Sequence, residues 1–153
     1  MNTIDGKEMD AKFKADVAGR PGGENLGLCY ACGTCTASCP VSEVDPEFNP
    51  RKIIRQVLLG LRREVLSSPV IWRCVQCYSC TAKCPQNVRF RDIVRVLREM
   101  AVAEGAVPAG TIEEANELGR LSQRLRRRMA EALVADRGRY DEMRRRVEEL
   151  AAG

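Results

Sequence analysis

Residues 29–40 read CYACGTCTASCP and residues 74–85 read CVQCYSCTAKCP. Aligned on their cysteines, the two stretches are one pattern, CxxCxxCxxxCP, with every position displaced by 45 residues. Thr36 and Ala37 recur as Thr81 and Ala82, so the repeat includes residues between the thiols as well as the thiols themselves. All eight cysteines of the chain fall in these two stretches. Three thiolates spaced three apart on a tightly turning backbone converge on three corners of a metal–sulfur cubane, while a fourth thiol ahead of proline points away. Each site therefore takes its fourth ligand from elsewhere.

The spacing matches the bacterial ferredoxin pattern, in which the fourth cysteine of each motif ligates the other cluster. The expectation is two 4Fe-4S clusters with crossed ligation: Cys29, Cys32, Cys35 and Cys84 around one, and Cys74, Cys77, Cys80 and Cys39 around the other. Zinc and disulfides are the competing readings. Zinc usually takes paired CxxC knuckles about 15 to 20 residues apart, and the cysteine content is below the roughly 8–10% that marks a secreted disulfide scaffold. No catalytic residue is expected on the chain. Histidine is absent, which removes Ser–His and Cys–His nucleophile pairs, Cys2His2 zinc, Rieske ligation and imidazole-bound haem. A radical enzyme needs one iron without a cysteine ligand, and two complete quartets leave none. Gly33 suits either a close backbone approach to a cluster or a plain turn. Tyr30, Tyr78 and Trp72, beside the motifs, suit either water exclusion or ordinary packing.

The flanking sequence is helical in pattern. Residues 1–25, with Pro21, Gly22 and Gly23 and no sustained apolar period, read as an extended arm. Asn49 and Pro50 open a predicted helix running to about Leu66, with Ile53, Ile54, Val57, Leu58, Leu61 and Val65 at helical intervals. A second helix carries Phe90, Ile93, Val94, Leu97, Met100 and Ala101 on one face, its arginines Arg89, Arg91, Arg95 and Arg98 lying elsewhere, and ends near Gly105. Thr111 and Glu114 form a capping-box pattern ahead of the stripe Leu118, Leu121, Leu125, Met129, giving a helix to about Ala135. Tyr140, Met143, Val147 and Leu150 mark a last short helix past Gly138. The fold class read from this is all-α, a helical ferredoxin domain over residues 26–107, between the arm and a helical C-terminal extension over residues 108–153. The extension is expected to dock against another subunit or fold back on the cluster domain.

Hydrophobic residues make up 44% and charged residues 30% of the 153-residue chain, within ordinary globular usage. No apolar run approaches the roughly 18 residues of a membrane span, and the charged N-terminus lacks a signal-peptide pattern. A cytoplasmic chain without direct membrane insertion is expected. The formal charge is +4, which two thiolate-ligated clusters would bring to about zero. Residues 50–100 hold eleven bases and three acids, which suits anionic clusters and the steering of an acidic partner, or simply solvated helix faces. The arginine runs near residues 124–128 and 144–146 are interspersed with acids, which argues against a nucleic-acid stripe.

The stretches LCYACGTCTASCP, VDPEFNPRKIIRQVLLGL and WRCVQCYSCTAKCPQNV together resemble the C subunit of heterodisulfide reductase and related complexes, over roughly residues 25–105. The resemblance implies an α-helical ferredoxin subunit of an oxidoreductase complex. It would pass single electrons between two partners, one a flavin-containing A-type subunit, the other a B-type subunit whose CCG segments hold the disulfide- or sulfur-handling site. No adjacent cysteine pair exists in this chain, so substrate chemistry is expected on the partner. The rival readings are a free soluble ferredoxin and a structural metal-binding scaffold.

Overall fold

The computed structural model describes residues 9–152, and all regular elements among them are helical. Contacts divide the chain into two compact units, one ending at Ile112 and the other beginning at Glu113.

The first unit contains the motifs. Helix α4 (Pro50–Leu58) starts where Asn49 Oδ1 accepts a hydrogen bond from Lys52 N, with Pro50 in the first turn. That position loses nothing from proline's missing N–H. The helix buries Ile53, Ile54 and Val57. It does not continue to Leu66 as the periodicity predicts. Gly60 takes φ +79°, and the chain restarts as α5 (Arg62–Leu66). The reason lies far off in sequence: Asp10 N donates to Gly60 O at 2.8 Å, and a Cβ on Gly60 would stand 2.4 Å from Asp10 O. The break makes room for the N-terminal segment.

That segment also departs from expectation. Instead of an extended arm through residue 25, Phe13–Ala18 forms α1, and its Phe13 and Val17 are 0% exposed. Two apolar residues at i and i+4 on a short helix gave too weak a period to read alone. Burial of both side chains against the core decides the helix. Arg62 ties it down, its guanidinium donating to Asp10 (2.6 Å), Asp16 (2.7 Å) and Glu104 (2.9 Å) while lying 5.2 Å from the Phe13 ring centroid. Residues 1–8 of the expected arm lie outside the described residues.

Helix α7 (Phe90–Ala103) supplies the largest buried face, including Ile93, Val96, Leu97 and Met100. Phe90 at its start meets Phe48 edge-on, with ring centroids 6.3 Å apart. The two motifs each end in a one-turn helix, α2 (Thr34–Ala37) and α6 (Ser79–Ala82). These are offset by the same 45 residues as the thiols. Pro40 then opens α3 (Pro40–Val44), whereas Pro85 leads into a turn.

In the second unit, α8 (Thr111–Ala135) and α9 (Arg137–Ala152) follow almost without interruption. The predicted bounds of α8 are met, but not through a capping box. The Thr111 hydroxyl donates to Pro108 O at 2.7 Å. Gly138 lies inside α9 rather than ahead of it. Ion pairs such as Arg127–Glu131, Arg144–Glu148 and Arg146–Glu142 couple successive turns. No helix among the described residues is long and apolar enough to cross a membrane.

Candidate metal centre

The backbone of both motifs follows one unusual course. Ala31 and Gly33 in the first, and Gln76 and Tyr78 in the second, all have positive φ, at 59°, 86°, 54° and 65°. Left-handed residues at alternate positions curl the chain so that successive side chains and amides face a common centre. Gly33 and Tyr78 are equivalent by the 45-residue offset and stand at the N-terminus of α2 and of α6. Gly33 is therefore used for its conformation; a Cβ there would meet nothing nearer than Arg51 Nη1 at 3.6 Å.

The thiols line two cavities. One is walled by Cys29, Cys32 and Cys35 of the first motif together with Cys80 and Cys84 of the second. The other is walled by Cys74, Cys77 and Cys80 of the second motif together with Cys39 of the first. Cys84 thus stands on the first motif's cavity and Cys39 on the second's. Cys80 and Phe90 line both, forming the partition between them. Among the described residues, no group of three or more cysteine, aspartate or glutamate side chains is gathered to hold a single metal ion. Five thiols stand on the first cavity and four on the second, soft ligands suited to iron–sulfur clusters.

Different devices hold the two motifs. The Thr36 hydroxyl donates to Asn49 Oδ1 (3.0 Å) and accepts from Arg51 N (3.1 Å), locking the first motif to the cap of α4. Its counterpart Thr81 has a buried hydroxyl with no hydrogen-bond partner among the described residues. The second motif is instead held at its entry. Arg98 donates to the carbonyls of Ile71 (3.0 Å), Trp72 (3.0 Å) and Cys74 (3.1 Å), and its guanidinium lies 5.3 Å from the Trp72 ring centroid. Arg73 pairs with Asp45 and Glu47 at 2.7 and 2.9 Å. Arg98 is only 5% exposed, a correction to its expected place away from the apolar face. Its spacing from Val94 and Ala101, four before and three after, was the available signal.

The aromatic residues beside the motifs divide. Tyr30 lines the first cavity and Tyr78 the second, yet they are 60% and 49% exposed, so neither is ordinary core. Tyr78 carries the Arg91 guanidinium 4.7 Å from its ring centroid, and Arg91 also donates to Gln76 Oε1 at 2.7 Å.

Burial sets the acidity of the metal-free thiols. Removal from water pushes Cys35 and Cys74 above the ordinary thiol range and Cys80 up to about 11. Exposed Cys32 moves the other way, because the Thr34 hydroxyl, 3.3 Å from its sulfur, stabilises the thiolate. The Val88 amide donates to Cys84 Sγ at 3.4 Å. Such N–H···S contacts stabilise thiolate charge and tune cluster potential.

Residues 25–88 match the family described as 4Fe-4S dicluster domain. The chain is 41% identical over 99 residues to the C subunit of the H(2):CoB-CoM heterodisulfide,ferredoxin reductase of Methanothermobacter thermautotrophicus, covering 65% of this chain and 50% of that protein. It is 49% identical over 84 residues to the C subunit of the ferredoxin:CoB-CoM heterodisulfide reductase of Methanosarcina acetivorans, covering 54% of this chain and 33% of that protein. It is 35% identical over 102 residues to a heterodisulfide reductase C-subunit-like protein of Archaeoglobus profundus, covering 67% of this chain and 54% of that protein. The chain spans about half the length of the curated relatives it matches, or less. An all-helical frame and two thiol-lined cavities thus accompany a match to the 4Fe-4S dicluster domain over residues 25–88 and similarity to the C subunit of heterodisulfide reductase.

Proposed function

We propose that the chain is an electron-relay subunit. Cys29, Cys32, Cys35 and Cys84 hold one 4Fe-4S cluster, and Cys74, Cys77, Cys80 and Cys39 hold the other. The observation that carries the crossed assignment is the exchange of the fourth cysteines: Cys84 on the first motif's cavity and Cys39 on the second's. When bound, each cluster supplies a one-electron acceptor and donor. The chain's own contribution is position and environment. Cys80 and Phe90 form a shared wall that keeps the two sites adjacent. The left-handed turns curl the thiols toward a common centre, and Tyr30 and Tyr78 line the first and second cavity. Arg51 on the first cavity and Arg91 on the second offset anionic charge.

On the resemblance drawn from the sequence, single electrons would pass between a flavin-containing partner protein and a CCG-motif partner protein that handles a disulfide or sulfur substrate. No bond of that substrate is made or broken on this chain. Anaerobic material should hold about eight irons per chain with reducible visible absorption; two zinc ions per chain would leave only a scaffold role. Cys39→Ser should perturb the cluster of the second motif and Cys84→Ser that of the first. Each change damaging its own motif's cluster would overturn the crossed ligation.

A further inference from the structure

The arginines that close the first unit are mostly paired: Arg62, Arg73, Arg91 and Arg95 each meet a carboxylate. Arg98 does not. It is buried, and its partners among the described residues are three carbonyl oxygens and the Trp72 ring. An uncompensated buried cation is strongly unfavourable in a folded chain, so its counter-charge has to come from the group it faces. Arg98 donates to the carbonyl of Cys74 itself, a residue that lines the second cavity. The first cavity has no equivalent: its cation, Arg51, is exposed.

We infer that Arg98 is an electrostatic tuning residue, a built-in counter-ion that raises the reduction potential of the cluster in the second cavity. The inference rests on the two-cluster reading above. Reduction by an external one-electron donor adds one negative charge to the cluster, with no bond broken and no proton required. A fixed positive charge in a dry environment therefore favours the reduced form over the oxidised form. Arg98 acts through field and through the Cys74 carbonyl rather than by ligation.

The test is a redox titration of the holoprotein followed by electron paramagnetic resonance, with Cys77→Ser used to assign the second cavity's signal. Arg98→Gln keeps a hydrogen-bond donor and removes the charge. At the wild-type midpoint it should lower the reduced-to-oxidised ratio of that cluster about tenfold, which is about 59 mV for a one-electron couple, and leave the first cluster within about twofold. Arg98→Lys keeps the charge and should hold the second cluster within about twofold of wild type. Each variant decides by itself. An unmoved second signal in Arg98→Gln, or a tenfold loss in Arg98→Lys, overturns the role of Arg98 while leaving the relay intact. Wild-type protein without two reducible clusters overturns the relay reading itself.

Discussion

Glycine at position 33 and tyrosine at position 78 do the same backbone work, one at φ 86° and the other at φ 65°. A side chain is thus compatible with this turn, at the ordinary penalty for left-handed geometry. Gly33→Ala should lower stability by about 1–2 kcal/mol, read from denaturant midpoints, while iron content is retained. A second expectation concerns Cys80, whose thiol in the iron-free folded chain is held at about 11 against an ordinary 9.0. The folded state binds this proton more tightly than the unfolded state. Its contribution to stability is complete below pH 9 and lost as pH climbs toward 11. Thermal melts of iron-free chain from pH 9 to 11 should show a decline that is shallower in Cys80→Ala.

Among the helices, α1 and the α4–α5 break depend on each other. Gly60→Ala brings both left-handed strain and a Cβ 2.4 Å from Asp10 O. It should destabilise by at least about 2 kcal/mol. Phe13→Ala, emptying a fully buried site on α1, should cost about 3–5 kcal/mol. Leu118→Ala on α8, where the side chain is exposed, should stay within about 0.5 kcal/mol. Urea titrations of the three variants separate these outcomes. An equal effect of Phe13→Ala and Leu118→Ala would mean that α1 is not part of the core.

For the molecule as a whole, the unit that carries both thiol motifs ends at Ile112 and its core closes on itself. A chain truncated after Ile112 should keep its iron content and its melting transition; loss of either would show that the later helices are needed for folding. The second unit buries little of its own, Ala132 being its one buried residue among those described. The stripe anticipated from Leu118 to Met129 is real as a helical spacing, yet Leu118 and Leu121 are exposed while Leu125 and Met129 are half-buried around a groove with Leu133 and Tyr140.

The two thiol quartets, the all-helical class, α7 and the bounds of α8 were readable from the chain alone. Each rests on local information: ligand chemistry repeats at fixed offsets, and a long amphipathic period is visible without knowing its partner. Gly60 looked like a helix residue because the segment that collides with any side chain there lies about fifty positions earlier. Phe13 and Val17 carried too short a period to declare a helix until the core received them. The helical period sets Arg98 off the apolar face with three other arginines, yet it is buried, since a formal charge says nothing about what encloses it. The exchange of Cys39 and Cys84 between cavities belongs partly to each source: the spacing suggested it, and only the packing of α2 beside α6 brought those thiols to the opposite motif's wall. Ligand spacing is written along one stretch of backbone, whereas burial and helix breaks are decided by what distant segments leave room for.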